Sequence, residues 1–264
     1  TIVQGFTRAR DIAFDALEDQ VLDVDVDDDV LTDIARSAMT GKGTGGLTAE
    51  SLAENIVQAV RQVEVDGEIH DENIQIVAQP GESSSATEVL NGVVIEEEPL
   101  REDMPRSVSD ATVAVIDTDL TTREADADVE YNVSSANQLD TAIESEQREL
   151  RGYAESIADA GIDVAFVTGD VADMTASFLA NEGILAFDSL SSDDADAITR
   201  TTGASLLATV DDIDEADLGY AEDSSVKRYG DDELLFVSGG AEADAVTIFV
   251  RAGTEHVLDE LERA

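Results

Sequence analysis

The sequence predicts a mixed α/β (α+β) protein in which an α/β domain is inserted into a discontinuous, mainly helical one. Three observations lead there. Helical spacing dominates the first 64 residues, short apolar strands alternating with helices fill the middle, and one strand followed by a helix closes the chain.

In the opening region Ile2, Phe6, Ala9, Ala13, Ala16 and Leu17 recur at helical spacing. Val30, Ile34 and Ala38 do so next, then Leu52, Ile56, Val57 and Val60, with Thr48 as the expected cap of that third helix. Ile74, Ile76 and Ala78 alternate as a strand, and Pro80 to Ala86 reads as the most linker-like stretch. Buried strands are expected at 92–95, 111–116 and 164–167. Between the last two lies a long polar stretch, Asp117 to Ala160, whose second half carries Leu139, Ile143, Leu150, Tyr153 and Ile157 at near-helical spacing. Helix 171–181, strand 183–187, helix 192–202 and strand 205–210 follow, which is the alternation of an α/β layer. Strands 222–229 and 233–238 lead to Gly239-Gly240. In the closing unit Val246, Ile248 and Val250 alternate, Gly253 turns, Thr254 caps, and Val257, Leu258 and Leu261 form an apolar stripe.

The chain has 61 acidic residues against 15 basic ones, a formal net charge of −46. A compact monomer of this size exposes on the order of 11,000 Å², or about 240 Å² per net charge, a spacing of roughly 15 Å. At about 0.1 M salt the screening length is roughly 10 Å and such charges repel; at about 1 M it is roughly 3 Å and they do not. The acids are dispersed among Val, Ile and Leu rather than gathered in tails, so the composition fits a folded protein of a salt-rich cytoplasm rather than a disordered one. No basic stripe offsets phosphate repulsion, which argues against nucleic acid as a partner. Neither a membrane span nor a signal segment is expected, so a cytoplasmic, soluble protein is the reading. With no cysteine, disulfides and thiolate metal sites are ruled out.

Seven segments, in order, resemble the group II chaperonins of the thermosome family. They are G-F-T-R-A-R at 5–10, T-G-K-G at 40–43, N-G-V-V-I-E-E-E-P-L-R-E-D-M-P at 91–105 with A-T-V-A-V-I-D at 111–117, F-L-A-N-E-G-I-L-A at 178–186, T-G-A-S-L-L-A-T at 202–209, A-D-L-G-Y-A-E at 216–222, and R-A-G-T-E-H-V-L-D-E-L-E-R-A at 251–264. The resemblance implies that 1–88 and 239–264 are the two halves of an intermediate, or hinge, domain, and that 89–238 is an apical, client-binding domain. The stretch at about 124–150 then corresponds to the helical protrusion that serves as a built-in lid. It also implies that ATP and magnesium act in the parent protein, which forms a double ring and encloses unfolded clients. The family's Gly-Asp-Gly-Thr phosphate motif does not occur in these residues, and the resemblance places the catalytic aspartate just beyond Ala264. No catalytic residue and no cofactor are therefore assigned to this segment, which is expected to be monomeric or weakly associated in solution.

Within that frame Lys42, one of only two lysines, sits in a Gly41-Lys42-Gly43 turn and matches the family lysine that reaches the nucleotide's terminal phosphate. A mobile ammonium can stabilise charge on a transferring phosphoryl group; without the resemblance it reads as an ordinary loop lysine. A Walker loop is the poorer reading, because Gly43 follows the lysine and Arg36 stands where a glycine should. Met174, Phe178 and Leu179 on helix 171–181, with Leu139 and Ile143 on the protrusion, are the expected client contacts. Exposed apolar surface captures non-native chains at roughly 25 cal/mol per Å² buried, without sequence specificity; the competing reading for each is core packing. The second apical helix, S-D-D-A-D-A-I-T-R-T-T-G, is too polar for a greasy capture surface.

Asp23, Asp25 and Asp27 have the alternate spacing of a calcium loop, but Asp28 occupies the position needing glycine and Ile34 the one needing a bidentate glutamate, so a solvated turn is expected. His70 and His256 stand apart without a ligand pattern, and no metal is assigned. Glu96 to Glu98 reads as a surface loop. Two other functions compete with the chaperonin segment: a standalone α/β hydrolase using a carboxylate pair, and a holdase that works without ATP.

Overall fold

In a computed structural model the described residues are 2–18, 20, 26–41, 43, 49–65, 67–122, 136–240 and 245–264, with the side chains of 136–142 outside the description. The chain opens with α1 (Ile2–Glu18), α2 (Asp28–Ala38) and α3 (Ala49–Gln62). Asp27 caps α2, its carboxylate accepting from Val30 N at 3.0 Å, while Asp28 and Asp29 in the first turn and Arg36 in the last complement the helix dipole. Arg61 fastens the end of α3 to the start of α2, donating to Asp28 at 2.8 Å, Glu64 at 2.7 Å and the Val26 carbonyl at 2.9 Å. The small hairpin β1 (Glu64–Val65) and β2 (Glu68–Ile69) precedes β3 (Ile74–Pro80). Of the linker-like stretch, Pro80 ends β3, and the turn that follows contains one 3-10 turn at Ser84–Ala86, after which β4 (Glu88–Glu96) begins.

The middle of the chain supplies β5 (Ser107–Ile116), α4 (Ala136–Asp159), β6 (Val164–Val167), α5 (Asp173–Glu182), β7 (Leu185–Phe187), α6 (Ser192–Thr202), β8 (Leu206–Leu207), β9 (Gly219–Tyr229) and β10 (Asp232–Ser238). It closes with β11 (Val246–Ala252) and α7 (Glu255–Glu262). Two expected bounds shift for visible reasons. Val171 bridges Leu120 instead of joining the helix, so α5 starts at Asp173. β9 occupies the flank of β5 from Ser107 to Val113, which leaves only Val115 and Ile116 for β8, so that strand is two residues long rather than six.

The strands run in the order β3-β11-β4-β10-β9-β5-β6-β7, with β8 beside β5. β5, β6 and β7 are parallel and carry α4 and α5 as crossovers; β9, β10 and β4 are antiparallel neighbours. β3 and β11 pair in parallel over seven residues, bringing the helical opening and the end of the chain into one ladder. β4 is shared. Its residues 88–91 pair with β11 and its residues 92–96 with β10. The change of partner falls at Gly92, whose φ of +143° is open to glycine, and a Cβ there would stand 2.1 Å from the Val237 carbonyl oxygen.

Burial separates into three clusters. A terminal core gathers Met39, Leu52, Ala53, Ala59 and Val63 from the opening helices with Val246, Ile248, Val250, Leu258 and Leu261 from the end of the chain. A larger central core gathers residues between Val93 and Ala245, including the stacked pair Phe166 and Phe187 with ring centroids 5.4 Å apart. A third cluster, Val94, Leu234, Phe236 and Phe249, lies on the other face of the shared sheet and joins β11 to β10. All seven residues of β11 are buried, polar Thr247 and Arg251 included, because both of its faces are covered. α1 forms as its spacing predicts but buries none of its residues: Ile2 is 80% and Phe6 72% exposed.

Candidate functional site

The residues proposed from sequence to meet clients fall on the flank formed by α4 and α5, which pack together against the central core. α5 ends at Gly183 in the left-handed conformation, and its one buried face carries Thr175, Ala176 and Leu179. Leu179 is 0% exposed, so it belongs to the core and is withdrawn as a surface contact. The reason is rotational: one residue along a helix turns about 100°, so Phe178 and Leu179 cannot share a face. Phe178 is half-buried and lies beneath the Arg151 guanidinium of α4, 4.8 Å from the ring centroid. Met174, one turn before it, is 37% exposed, and Ile143 on α4 is 42% exposed. The side chain of Leu139 lies outside the described residues, as does Lys42.

The neighbours of Lys42 are described. Met39 is buried in the terminal core, Gly41 has φ +87°, and Gly43 lies so close to α7 that a Cβ on it would stand 2.8 Å from Glu260 Oε2.

α6 is capped by Ser191, whose hydroxyl accepts from Asp194 N at 3.1 Å, and it buries Ala195, Ile198, Thr201 and Thr202. With Ile198 wholly inside, the outer face presents Asp193, Asp196 and Arg200, the polar surface its sequence predicts. Sequence reasoning did not single out Leu206 and Tyr220, which are 48% and 40% exposed. Leu206 lies in the expected strand 205–210, whereas Tyr220 precedes the expected strand 222–229 and joins β9 only in the structure; the pairing of β8 and β9 with β5 shows which side chains face outward.

Asp23 and Asp25 lie outside the described residues; the described acidic residues take ordinary roles or crowd together. Asp27 is a helix cap. Glu97 shares an acidic recess with Glu96, Glu98, Asp188, Asp231, Asp232 and Glu233, and burial together with Asp194, Asp188 and Glu96 pushes its carboxyl above the usual range. At the carboxyl ends of the parallel strands, Thr168 donates to Asp117 at 2.6 Å and Asp170 N to Asp119 at 3.0 Å, so those carboxylates are engaged in holding loops. His70 faces Glu72 at 3.1 Å and His256 faces Glu260 at 3.9 Å. Among the described residues no group of three or more His, Asp or Glu side chains is arranged to hold a metal ion. No helix among them is long and apolar enough to cross a membrane.

The TCP-1/cpn60 chaperonin family matches residues 1–264. The chain belongs to that family. It is 54% identical to thermosome subunit 3 of Haloferax volcanii over 100% of its own length and 51% of that protein's, and 38% identical to thermosome subunit alpha of Halobacterium salinarum over 100% and 47%. Among solved structures it resembles the open-state monomer of a group II chaperonin from Methanococcoides burtonii. The TM-score is 0.74 at 25% identity, covering 98% of this chain and 60% of that one. The chain thus spans about half the length of the thermosome subunits it matches. Both of these subunits come from salt-loving organisms, in keeping with the net charge of −46. Chaperonin membership and a mixed α/β architecture agree with the resemblance read from the seven segments.

Proposed function

We propose that these residues form the hinge and the client-contacting head of an ATP-driven group II chaperonin. Residues 1–88 and 239–264 would be the intermediate domain, and 89–238 the apical domain with its protrusion at about 124–150. The observation that carries this reading is the terminal core, in which α2, α3 and the β11–α7 unit pack together and leave the central core attached through the shared strand β4 and the return from β10. Such an arrangement lets a head move as a body on its base without unfolding either.

In this reading Met174, Phe178 and Ile143 contribute weak apolar contacts to non-native chains, with Leu139 on the same arm. Capture is broad because apolar burial is non-directional. ATP and magnesium would be held by the remainder of the parent subunit, and Lys42 would approach the terminal phosphate when the base closes; no chemical step is assigned to the residues described. The double ring and its enclosed clients likewise belong to the parent.

The test is nucleotide-dependent closure in the intact subunit. ATP should protect the α4 arm from protease and trap a denatured client, and Lys42→Ala should abolish the protection. Client binding that is indifferent to ATP would favour a holdase instead.

A further inference from the structure

The two cores touch across one face of their shared sheet through the tip of the β9–β10 hairpin. Arg251, on β11, is buried and directed by its own side of the molecule: Nε donates to the Gln79 carbonyl at 3.0 Å, Nη2 reaches the Pro80 carbonyl at 3.5 Å, and Nη1 lies 3.7 Å from Glu82. Its flat face is turned to the hairpin, 4.6 Å from the Tyr229 ring centroid and 5.2 Å from that of Phe249. Tyr229 also meets Phe249 edge-on at 5.5 Å, and Phe249 meets Phe236 edge-on at 5.5 Å. A second link lies beside the first, where Gln79 Nε2 donates to Asp232 Oδ2 at 3.3 Å.

The opposite face of the shared sheet differs. There Glu72, Asn73, Gln75 and Val93 border Asp194 and Arg200 across an open groove of about 200 Å³. The junction is therefore closed on the hairpin side and open on the α6 side. Its pivot, Gly92, is the point where β4 passes from one core to the other.

We propose that the hairpin tip is a catch that fixes the angle of the central core on the terminal core. Arg251 is the platform, Tyr229 rests on it, and the Gln79–Asp232 bond is the second point of contact. Three features suit a contact that opens and recloses. Arg251 Nε and Nη2 go to the main-chain carbonyls of Gln79 and Pro80 in the terminal unit, so withdrawing Tyr229 leaves those two contacts in place. The Tyr229 ring is half-buried where it meets Arg251, and a single cation–π contact of this kind biases an angle rather than locking it. The groove on the far side gives the head space to tilt into. The catch requires only the two cores and their shared strand, so it stands apart from the client-binding reading.

The test places spin labels at Glu54→Cys on α3 and Glu182→Cys on α5, both exposed positions in a stretch of sequence without a cysteine of its own. Distance distributions are measured by pulsed EPR in the intact subunit. Tyr229→Leu keeps apolar volume but removes the aromatic ring; Asp232→Ala removes the second contact without touching any of the three cores. Each variant is expected to shift and broaden the interspin distribution, the pair together more than either alone, while thermal melting shows the fold retained. A distribution identical to the parent's in variants that remain folded would overturn the catch. If Tyr229→Leu melts early, Asp232→Ala decides, since an unchanged distribution there contradicts the proposal by itself.

Discussion

The hydroxyl of Thr247 lies 3.2 Å from Gln75 Oε1, a contact between residues 172 positions apart in the sequence. The same hydroxyl is 2.8 Å from the Gly92 carbonyl, and Gln75 Oε1 also accepts from Val94 N at 3.4 Å. One buried threonine therefore ties the opening of the chain, its end and the shared strand together at the point where β4 changes partner. Thr247→Val keeps the shape and removes the buried hydroxyl from the Gly92 carbonyl, while Gln75 Oε1 keeps its bond from Val94 N. The expected cost is about 1–3 kcal/mol in denaturant unfolding.

Much of this arrangement is legible in the residues. The Thr254 cap is realised, with Val257 N donating to its hydroxyl at 3.4 Å, and Leu258 and Leu261 are buried as their spacing predicts. What escapes is decided by partners distant in sequence. Val246, Ile248 and Val250 alternate like a strand with one covered face, yet Thr247, Phe249 and Arg251 are buried too, satisfied by Gln75, Gly92 and Gln79. α1 has a helical stripe that nothing described covers, and periodicity reports a stripe without reporting its cover. On α5 the apolar spacing identifies candidates for the surface, but packing of α4 decides that Met174 is outside and Leu179 inside. Lys42 lies outside the described residues, so its role still rests on the resemblance.

Stability should depend steeply on salt. With 61 acidic and 15 basic residues, mutual repulsion is screened over roughly 10 Å at about 0.1 M and roughly 3 Å at about 1 M salt. The melting temperature is expected to rise through that range, with much of the gain reached near 1 M. A melting temperature unchanged between the two would show that charge repulsion does not limit this fold.

Glu97 should make folding more favourable as pH falls. Burial and then the nearby Asp194, Asp188 and Glu96 raise its pKa in the folded state. Between the unfolded and the folded pKa the native protein holds the extra proton, so stability declines as pH rises through that window and is lowest above it. Glu97→Gln removes this penalty. The variant is expected to melt higher than the parent at neutral pH, and the difference should shrink as pH falls into the upper carboxylate range.

Client contact at Met174 predicts a loss of capture without a loss of fold. Because the side chain is only 37% exposed, burying the remainder is worth at most about 1 kcal/mol, about fivefold in affinity. Met174→Asp in the intact subunit should weaken binding of a denatured client by about that factor. Leu179→Ala should instead cost about 2–5 kcal/mol of stability, as a buried leucine does. Reversal of these two outcomes would move the contact surface elsewhere.

The central claim is that one core is built from both ends of the chain and another from what lies between. Hydrogen exchange on the chain cut after Ala245, compared with all 264 residues, tests it directly. Without β11 and α7, amides of α3 and β3 should lose protection while those of β5, β6, α5 and β9 keep theirs. Protection lost evenly through all of these elements, or retained by α3 and β3, would contradict the account.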